Sequence, residues 1–192
     1  MEATAAAVTE RSFSDLRVTD IARAAQIAQP NFYTYFASVE EVIRALAEEV
    51  SFDALARYLE PDWSEPQGIM LARRLITEAF ALWKKHHALI ALTWYLAEKR
   101  YGDFAQLRVR QVRALYKAFE GQVRRAQQAG RIARSVEPRL AGYECVGLIG
   151  AAGSGYALLR ASGFSHQQLI ETNARLIHMM ATGIARIDEH AR

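Results

Sequence analysis

The sequence predicts an all-α protein, and three observations support this fold class. Apolar residues recur at three- and four-residue intervals through most of the chain, which is the spacing of one face of an α-helix. No run of alternating apolar and polar residues is longer than a few positions, so no strand is indicated. Eleven glycines and four prolines among 192 residues are too few for a fibrous or low-complexity chain.

Four elements are predicted in the first fifty residues. Short helices are expected over 3–11, 18–25 and 29–35, and a longer helix begins at Ser38, where Ser38-Val39-Glu40-Glu41 has the S-x-x-E form of a capping box. Two short helices joined by the tight connection 26–28 have the form of a helix-turn-helix. We therefore expect a three-helix helix-turn-helix domain over 1–46 and a larger helical domain over 47–192.

The rest of the chain predicts five longer helices, over 68–86, 88–101, 103–129, 137–161 and 165–187. Pro138 suits a first helical turn, Gly130 follows the third of these helices as a stop signal, and Ser165 is an expected N-cap. Residues 60–66 form the clearest linker, because two prolines in polar surroundings interrupt any helix.

Composition and charge exclude several classes of protein. Hydrophobic residues make up 51% and charged residues 23%, as in ordinary globular domains, and the net charge of +3 does not by itself indicate a nucleic-acid partner. Cys145 is the single cysteine, which excludes a disulfide framework and a thiolate zinc site. The sequence lacks a membrane-length apolar stretch and a secretion signal, so we expect a cytoplasmic protein with no membrane partner.

The run 18–43, VTDIARAAQIAQPNFYTYFASVEEVI, resembles the DNA-binding domain of TetR-family transcriptional regulators. The most specific matches are the sequences DIA at 20–22, AA at 24–25, FYxYF at 32–36 and SxEE at 38–41. The resemblance implies a helix-turn-helix module on a larger helical domain that dimerises and encloses a pocket for a small, partly apolar effector. It also implies repression of a promoter that the effector relieves. It leaves open whether the first helix is truncated, because members usually carry several more residues before it.

The resemblance further implies that residues 29–35 enter the major groove of double-stranded DNA. Gln29 and Asn31 are the expected base-contacting side chains, since amides pair bidentately with adenine. Phe32 and Phe36 are expected in the core. The full set of expected DNA-binding residues is Arg17, Thr19, Gln29, Pro30, Asn31, Tyr33, Thr34 and Tyr35.

Four positions depart from the family pattern. Gln26 stands where the turn usually has glycine, and Ala28 stands where a Ser or Thr usually caps the reading helix. Val39 stands where a lysine usually follows the serine, and Arg17 occupies the capping position of the helix before the turn. A left-handed Gln26 would cost about 1–2 kcal/mol, and a missing cap about 0.5–2 kcal/mol.

Residues 1–50 hold four arginines and eight acidic residues, a net charge of −4, while the remainder carries +7. Because phosphate contacts supply much of the affinity for DNA, we expect weak binding per subunit.

Aromatic residues are dense in the second half of the chain. By the resemblance, some of them line the effector pocket, while the alternative for each is an ordinary place in a helical core. The expected pocket residues are Phe80, Trp83, His87, Trp94, Tyr95, Tyr116, Phe119 and Tyr143.

Residues 147–155, GLIGAAGSG, do not have the spacing of a nucleotide-binding loop, and no lysine follows. They predict a helix with a bare face that another backbone can approach closely, which would explain glycines that each cost about 1 kcal/mol relative to alanine. With the helix over 165–187, this segment is the expected face of a two-fold dimer. The expected dimer residues are Gly147, Gly150, Ala151, Ser154, Leu169, Ile177, Met180 and Ile184.

Two other patterns favour structural interpretations. His86 and His87 point about 100° apart on a helix, and no acidic residue stands at ligand spacing from His166 or His178, so no metal or cofactor is expected. A basic helix face is interpreted as solvated rather than as an anion site. Its members are Arg108, Arg110, Arg113, Lys117, Arg124, Arg125, Arg131 and Arg134.

The sequence therefore favours a ligand-released repressor that binds a palindromic operator as a homodimer. A competing interpretation is a ligand-binding protein of the same fold with weak or lost operator affinity, because of the acidic amino-terminal region. A small helical enzyme has little support, since the sequence offers no nucleophile with a neighbouring base and no convincing carboxylate pair.

Overall fold

The structure is a computed structural model that describes residues 16–185. This part of the chain forms eight α-helices and one 3-10 helix, without strands, which confirms the predicted fold class. The predicted helix over 3–11 lies outside the described residues. The α-helices are α1 (Val18–Ala24), α2 (Gln29–Tyr35), α3 (Val39–Glu48), α4 (Gly68–Glu98), α5 (Phe104–Gln128), α6 (Pro138–Ser154), α7 (Tyr156–Ala161) and α8 (His166–Thr182), and the 3-10 helix is Asp53–Leu59.

The described residues divide into two compact units, each built from two separate stretches of chain. The first unit contains 16–51 and 86–111, and the second contains 52–85 and 112–185. Helices α4 and α5 each contribute to both units, and α4 changes unit at His86, whose backbone is not helical (φ −121°, ψ 22°). The sequence boundary after residue 46 divides the chain differently and stays a prediction.

Helix α4 consists of two helical stretches separated at His86, whose backbone is not helical, in agreement with the two helices predicted over 68–86 and 88–101. The second stretch ends at Glu98 rather than at residue 101. The earlier end follows from the backbone beyond it, because Arg100 (φ 54°) and Gly102 (φ 46°) both adopt left-handed conformations.

The two predicted carboxy-terminal helices are also shorter than expected. The helix predicted over 137–161 is interrupted at Gly155 (φ −81°, ψ −4°), which separates α6 from α7. The prediction that the last helix continues to 187 is wrong for residues 183–185, because Gly183 turns left-handed (φ 72°) after α8. A Cβ atom at Gly183 would lie 2.5 Å from the Arg131 carbonyl oxygen, so the close approach there requires glycine.

The core of the second unit holds the predicted linker 60–66 by buried hydrogen bonds. Gln122 of α5 accepts from the Trp63 backbone N–H (3.0 Å) and donates to the carbonyls of Leu59 (2.8 Å) and Pro61 (2.7 Å). His178 of α8 bonds the Trp63 carbonyl through Nε2 at 2.8 Å, and its ring stacks on the indole. The linker is thus fixed to both α5 and α8 within this unit.

Close helix contacts explain two of the glycines in α6. A Cβ at Gly142 would lie 2.7 Å from the Tyr116 carbonyl oxygen of α5, and one at Gly153 would lie 2.4 Å from the Trp83 ring. At Gly147, by contrast, an added Cβ would meet no atom of the chain within 4 Å. Gly142 and Gly153 therefore lie against other elements of the same chain, whereas Gly147, which belongs to the predicted bare face, is open.

Candidate nucleic-acid interface

Helices α1 and α2 pack as the predicted helix-turn-helix pair. Ile21 and Ala22 of α1 are buried, and Phe32 is the buried residue of α2, with only 1% of its surface exposed. The centroid of the Phe32 ring lies 6.0 Å from the ring centroid of Phe36, and Phe36 is half-buried. One aromatic side chain therefore fixes α2 to its unit, and the remaining side chains of α2 are on the surface.

All eight expected DNA-binding residues are exposed and belong to the first unit. Tyr35 is 75% exposed and Tyr33 is 54% exposed, high values for side chains with large apolar rings. Gln29, Asn31 and Thr34 complete the polar surface of α2. Contact of these residues with DNA stays a prediction.

The turn before α2 adopts the conformation that the sequence departures suggested. Gln26 has φ 55°, the left-handed region that glycine usually occupies at this point of the family. Ala28 precedes α2 in an extended conformation and offers no side-chain cap, while Pro30 in the first turn lacks an N–H that would need one. At α1, the Asp20 carboxylate accepts the Arg17 backbone N–H at 3.1 Å, so the first turn of this helix still has one capping bond.

The capping box predicted at α3 forms with a shifted partner. Ser38 Oγ accepts the Glu41 backbone N–H (3.3 Å), as expected, but the Glu41 carboxylate accepts the N–H of Ala37 (2.7 Å) instead of that of Ser38. Glu41 also pairs with Arg44 at 3.4 Å. This arrangement fixes the short connection between α2 and α3.

Residues 86–111 contact α3 at both of its ends, which the sequence did not indicate. The Tyr101 hydroxyl donates to Glu40 Oε1 (3.1 Å) near the start of α3, and Gln111 Nε2 donates to the carbonyls of Ala47 (2.6 Å) and Val50 (3.2 Å) near its end. Burial raises the pKa of Glu40, but hydrogen bonds from its own backbone N–H, Ser38 and Tyr101 outweigh this and lower it. The bond to Glu40 raises the pKa of the Tyr101 phenol. In the sequence, the only indication of these contacts was Gly102, which favours a turn and follows the aromatic Tyr101.

The expected effector-pocket residues fall in different environments. In the second unit, Phe119 packs on Trp63 in the core and Trp83 packs against Gly153, whereas Tyr143 is exposed and Tyr116 is half-buried. The remaining expected residue of this unit, Phe80, is buried. Its ring lies 5.1 Å from that of Tyr156, whose hydroxyl bonds His166 Nδ1 at 2.9 Å.

Three expected pocket residues lie in the first unit. His87 and Tyr95 are exposed, and Trp94 is half-buried beneath the Arg108 guanidinium, which lies 4.3 Å from the indole centroid. Arg108 of the basic face thus packs on an aromatic residue, and the interpretation of that face as solvated stays a prediction. The assignment of these residues to an effector pocket stays a prediction.

The expected dimer residues divide into exposed and buried sets. Gly147, Ala151, Ser154 and Met180 are exposed and Ile184 is half-buried, but Gly150, Leu169 and Ile177 are buried within the chain and offer no surface to a partner. Periodicity selected the inner face of α8 here, because apolar residues line both of its faces. Other exposed apolar residues of α6 and α8, which the sequence analysis did not select for the dimer face, are Leu140, Tyr143, Leu176 and Met179.

The described residues hold neither a metal-binding cluster nor a membrane-spanning helix. No group of three or more His, Cys, Asp and Glu side chains in 16–185 could hold a metal ion. Within the same range, no helix is long and apolar enough to cross a membrane. Cys145 is buried, and burial together with the nearby Glu144 raises the pKa of its thiol to about 12.

An all-helical chain whose helix-turn-helix presents its second helix to solvent has the architecture of a helix-turn-helix transcriptional regulator. Family models match most of the sequence: one described as "Bacterial regulatory proteins, tetR family" matches residues 1–46, and one described as "Tetracyclin repressor-like, C-terminal domain" matches residues 57–186. The chain belongs to the TetR family, and the predicted resemblance is confirmed. No curated protein matches the sequence significantly.

Several solved structures share the fold of this chain. FadR from Bacillus subtilis in complex with stearoyl-CoA has a TM-score of 0.67 at 18% identity, with 95% of this chain and 96% of that chain covered. A putative TetR-family regulator from Syntrophomonas wolfei has a TM-score of 0.68 at 13% identity, covering 97% and 95%. FadR from Thermus thermophilus in complex with lauroyl-CoA has a TM-score of 0.55 at 13% identity, covering 100% and 98%. At these identities the likeness establishes the fold.

Proposed function

We propose that this protein is a transcriptional repressor that binds a palindromic operator in the cytoplasm as a homodimer and leaves it when a small, partly apolar ligand binds. The observation that carries the proposal is the surface of α2, on which Gln29, Asn31 and Tyr35 are exposed while Phe32 fixes the helix from beneath. A short helix held at one side, with amides and hydroxyls on the other, fits the major groove.

Two copies of this reading helix are needed for specific binding. Half-sites one turn apart require their centres to be about 34–36 Å apart, and the acidic first fifty residues limit the affinity of one copy. A ligand that favours a different separation of the two copies would release the DNA without touching it.

The DNA contact is tested by fluorescence titration of labelled duplexes taken from the intergenic region beside the gene. Asn31→Ala should relax the preference for the operator over a scrambled duplex, because its base contact is lost, whereas Tyr35→Phe should weaken binding to both duplexes alike. Gln128→Ala removes an exposed amide of the second unit and serves as the matched control. Unchanged binding in both α2 variants would refute the assignment of the reading helix.

The partner surface is proposed to be the exposed face of α6 and α8. Leu140, Gly147 and Ala151 lie on one side of α6, and Leu176 and Met179 are exposed on α8, which packs against α6. Exposed apolar side chains around small residues allow a second copy to approach closely, as in two-fold helical interfaces.

Gly147 gives a clean test of this dimer. Its added Cβ meets no atom of the chain within 4 Å, so Gly147→Arg should leave the monomer folded and disrupt an interface that needs a bare backbone. Gly121→Arg is the matched control, because Gly121 is also helical and an added Cβ there would have only the Arg125 guanidinium, at 3.9 Å, within 4 Å. Sedimentation should report a monomer for the first variant and a dimer for the second. A dimer that persists in Gly147→Arg would place the interface elsewhere.

The effector class proposed for the first trials is a long-chain acyl-CoA. Two of the similar structures are FadR proteins whose complexes contain stearoyl-CoA and lauroyl-CoA. Release of bound operator by such a thioester, but not by free CoA, would support an effector that is recognised partly through its apolar chain.

The competing function, ligand binding without an operator, is favoured by the net charge of −4 in residues 1–50. A dimeric sample that binds acyl-CoA but shifts no intergenic duplex in moderate salt would establish it.

A further inference from the structure

We propose that the turn between α4 and α5 is a second DNA contact, in which Lys99 and Arg100 bind the phosphate backbone beside the reading helix. The inference rests on the proposed function and assigns a role to residues outside the helix-turn-helix. It follows from a charge deficit, a hydrogen bond and the geometry of one turn, all within the first unit.

The helix-turn-helix itself is poor in cations for phosphate contact. Val39 stands at the start of α3 where the family usually has lysine, and residues 16–51 contain only the arginines 17, 23 and 44. Of these, Arg44 is paired with Glu41 at 3.4 Å. Because neutralised phosphates supply most of the non-specific affinity for DNA, further cations near α3 would have a large effect on binding.

The turn between α4 and α5 lies at the position of this deficit. The Tyr101 hydroxyl donates to Glu40 Oε1 at 3.1 Å, and Glu40 is the residue immediately after Val39. The Glu41 carboxylate accepts the N–H of Ala37, which lies in the connection between α2 and α3. Lys99 and Arg100 immediately precede Tyr101, so they belong to the same turn as the side chain that is bonded to the first turn of α3.

The turn is held in a fixed shape and both basic residues are exposed, with the Lys99 ammonium 5.8 Å from the centroid of the Tyr95 ring. The backbone N–H of Arg100 donates to Ala97 (3.1 Å) and that of Tyr101 donates to Leu96 (2.9 Å). Arg100 adopts φ 54°, a conformation in which glycine or asparagine would be less strained. A long cation in a strained backbone position is an outlier for which we infer a use of its charge.

A polyanion is the partner that this surface fits. Glu98 and Asp103 flank the turn and Glu40 is bonded to it, so acidic and basic side chains lie close together there. A ligand with a single negative charge would therefore gain little electrostatic binding energy. A duplex presents closely spaced phosphates that two neighbouring cations can contact without any favourable net field. The duplex is also the partner that α2, in the same unit, is proposed to bind.

The double variant Lys99→Gln with Arg100→Gln tests the contact by the salt dependence of DNA affinity. Each lost phosphate contact lowers the slope of log affinity against log salt by about 0.9, so we expect a reduction of roughly 2 per subunit, equal for operator and scrambled duplex. Lys84→Gln with Lys85→Gln is the matched control, since it removes two adjacent exposed lysines of the second unit and the same net charge. Its slope should stay that of the parent protein.

Tyr101→Phe supplies an independent readout, because it keeps both cations and removes only the bond to Glu40. We expect a smaller loss of affinity at low salt, as the turn is less firmly positioned. This inference alone would be overturned if the parent protein binds the operator but the Lys99 and Arg100 double variant keeps the same salt slope. The same holds if the slope of the double variant falls no more than that of the lysine control. Failure of the parent protein to bind any duplex would overturn the proposed function and this inference together.

Discussion

Replacement of Gln122 by methionine should destabilise the second unit strongly without opening a cavity. The buried amide makes three hydrogen bonds, with the Trp63 N–H and with the carbonyls of Leu59 and Pro61, at 2.7–3.0 Å. Methionine has nearly the same length and shape but donates no hydrogen bond and accepts only weakly, so the change isolates most of the polar contribution.

The magnitude follows from the groups left without partners. A buried donor or acceptor whose partner is removed costs about 1–3 kcal/mol. Three such groups would set an upper range near 9 kcal/mol, but the Pro61 carbonyl is only partly buried and water can reach it. We therefore expect a loss of about 3–5 kcal/mol, a large share of the roughly 5–15 kcal/mol by which domains are stable.

Urea unfolding followed by circular dichroism measures this loss as a lower midpoint at an unchanged m value. The matched control is Gln128→Met at an exposed position of the same helix, which should change the free energy of unfolding by no more than about 0.5 kcal/mol. A loss below about 1 kcal/mol in Gln122→Met, at an unchanged m value, would refute the reasoning that the linker is held by these bonds.

Two further predictions concern pH and the helix-turn-helix. Burial and, to a lesser extent, nearby Arg175 lower the pKa of His178, against the opposing effect of its bond to the Trp63 carbonyl. The unfolded chain therefore binds the proton more readily, and the free energy of unfolding should be highest above about pH 6.5 and fall by up to about 1.4 kcal/mol per pH unit below it. Urea midpoints at several pH values should show this slope in the parent and in His87→Gln but a reduced slope in His178→Gln; equal slopes would contradict it. In the first unit, Gln26→Gly should raise the thermal midpoint by relieving the left-handed conformation (φ 55°), worth about 1 kcal/mol, and a lower midpoint would show that the side chain is needed there.

The helix-turn-helix could be predicted from the sequence because its signals are local. The sequence placed both ends of α1 and α2, and the start of α3, within about one residue of the observed positions. It also predicted a buried Phe32, and Gln26, which stands where the family usually has glycine, has the left-handed backbone (φ 55°) that the sequence analysis considered for it. Each of these features depends on residues a few positions apart along the chain.

The apolar faces of the later helices could not be assigned in this way. Helix α8 has apolar residues on two sides, and the pattern favoured Ile177, which is buried, as readily as Met180, which is exposed. Likewise Gly142 and Gly147 look equivalent in the sequence, yet only the first receives the backbone of another helix. Periodicity identifies an apolar face but not the neighbour that covers it.

The sequence by itself indicated the helical class, the helix-turn-helix and the family, because these depend on spacings of one to four residues and on one short motif. Only the tertiary structure decided that Tyr101 bonds Glu40 and that Gln122 holds the linker before α4, since these partners lie about sixty residues apart along the chain. Such contacts depend on how helices pack rather than on any local preference, and the proposed second DNA contact depends on one of them.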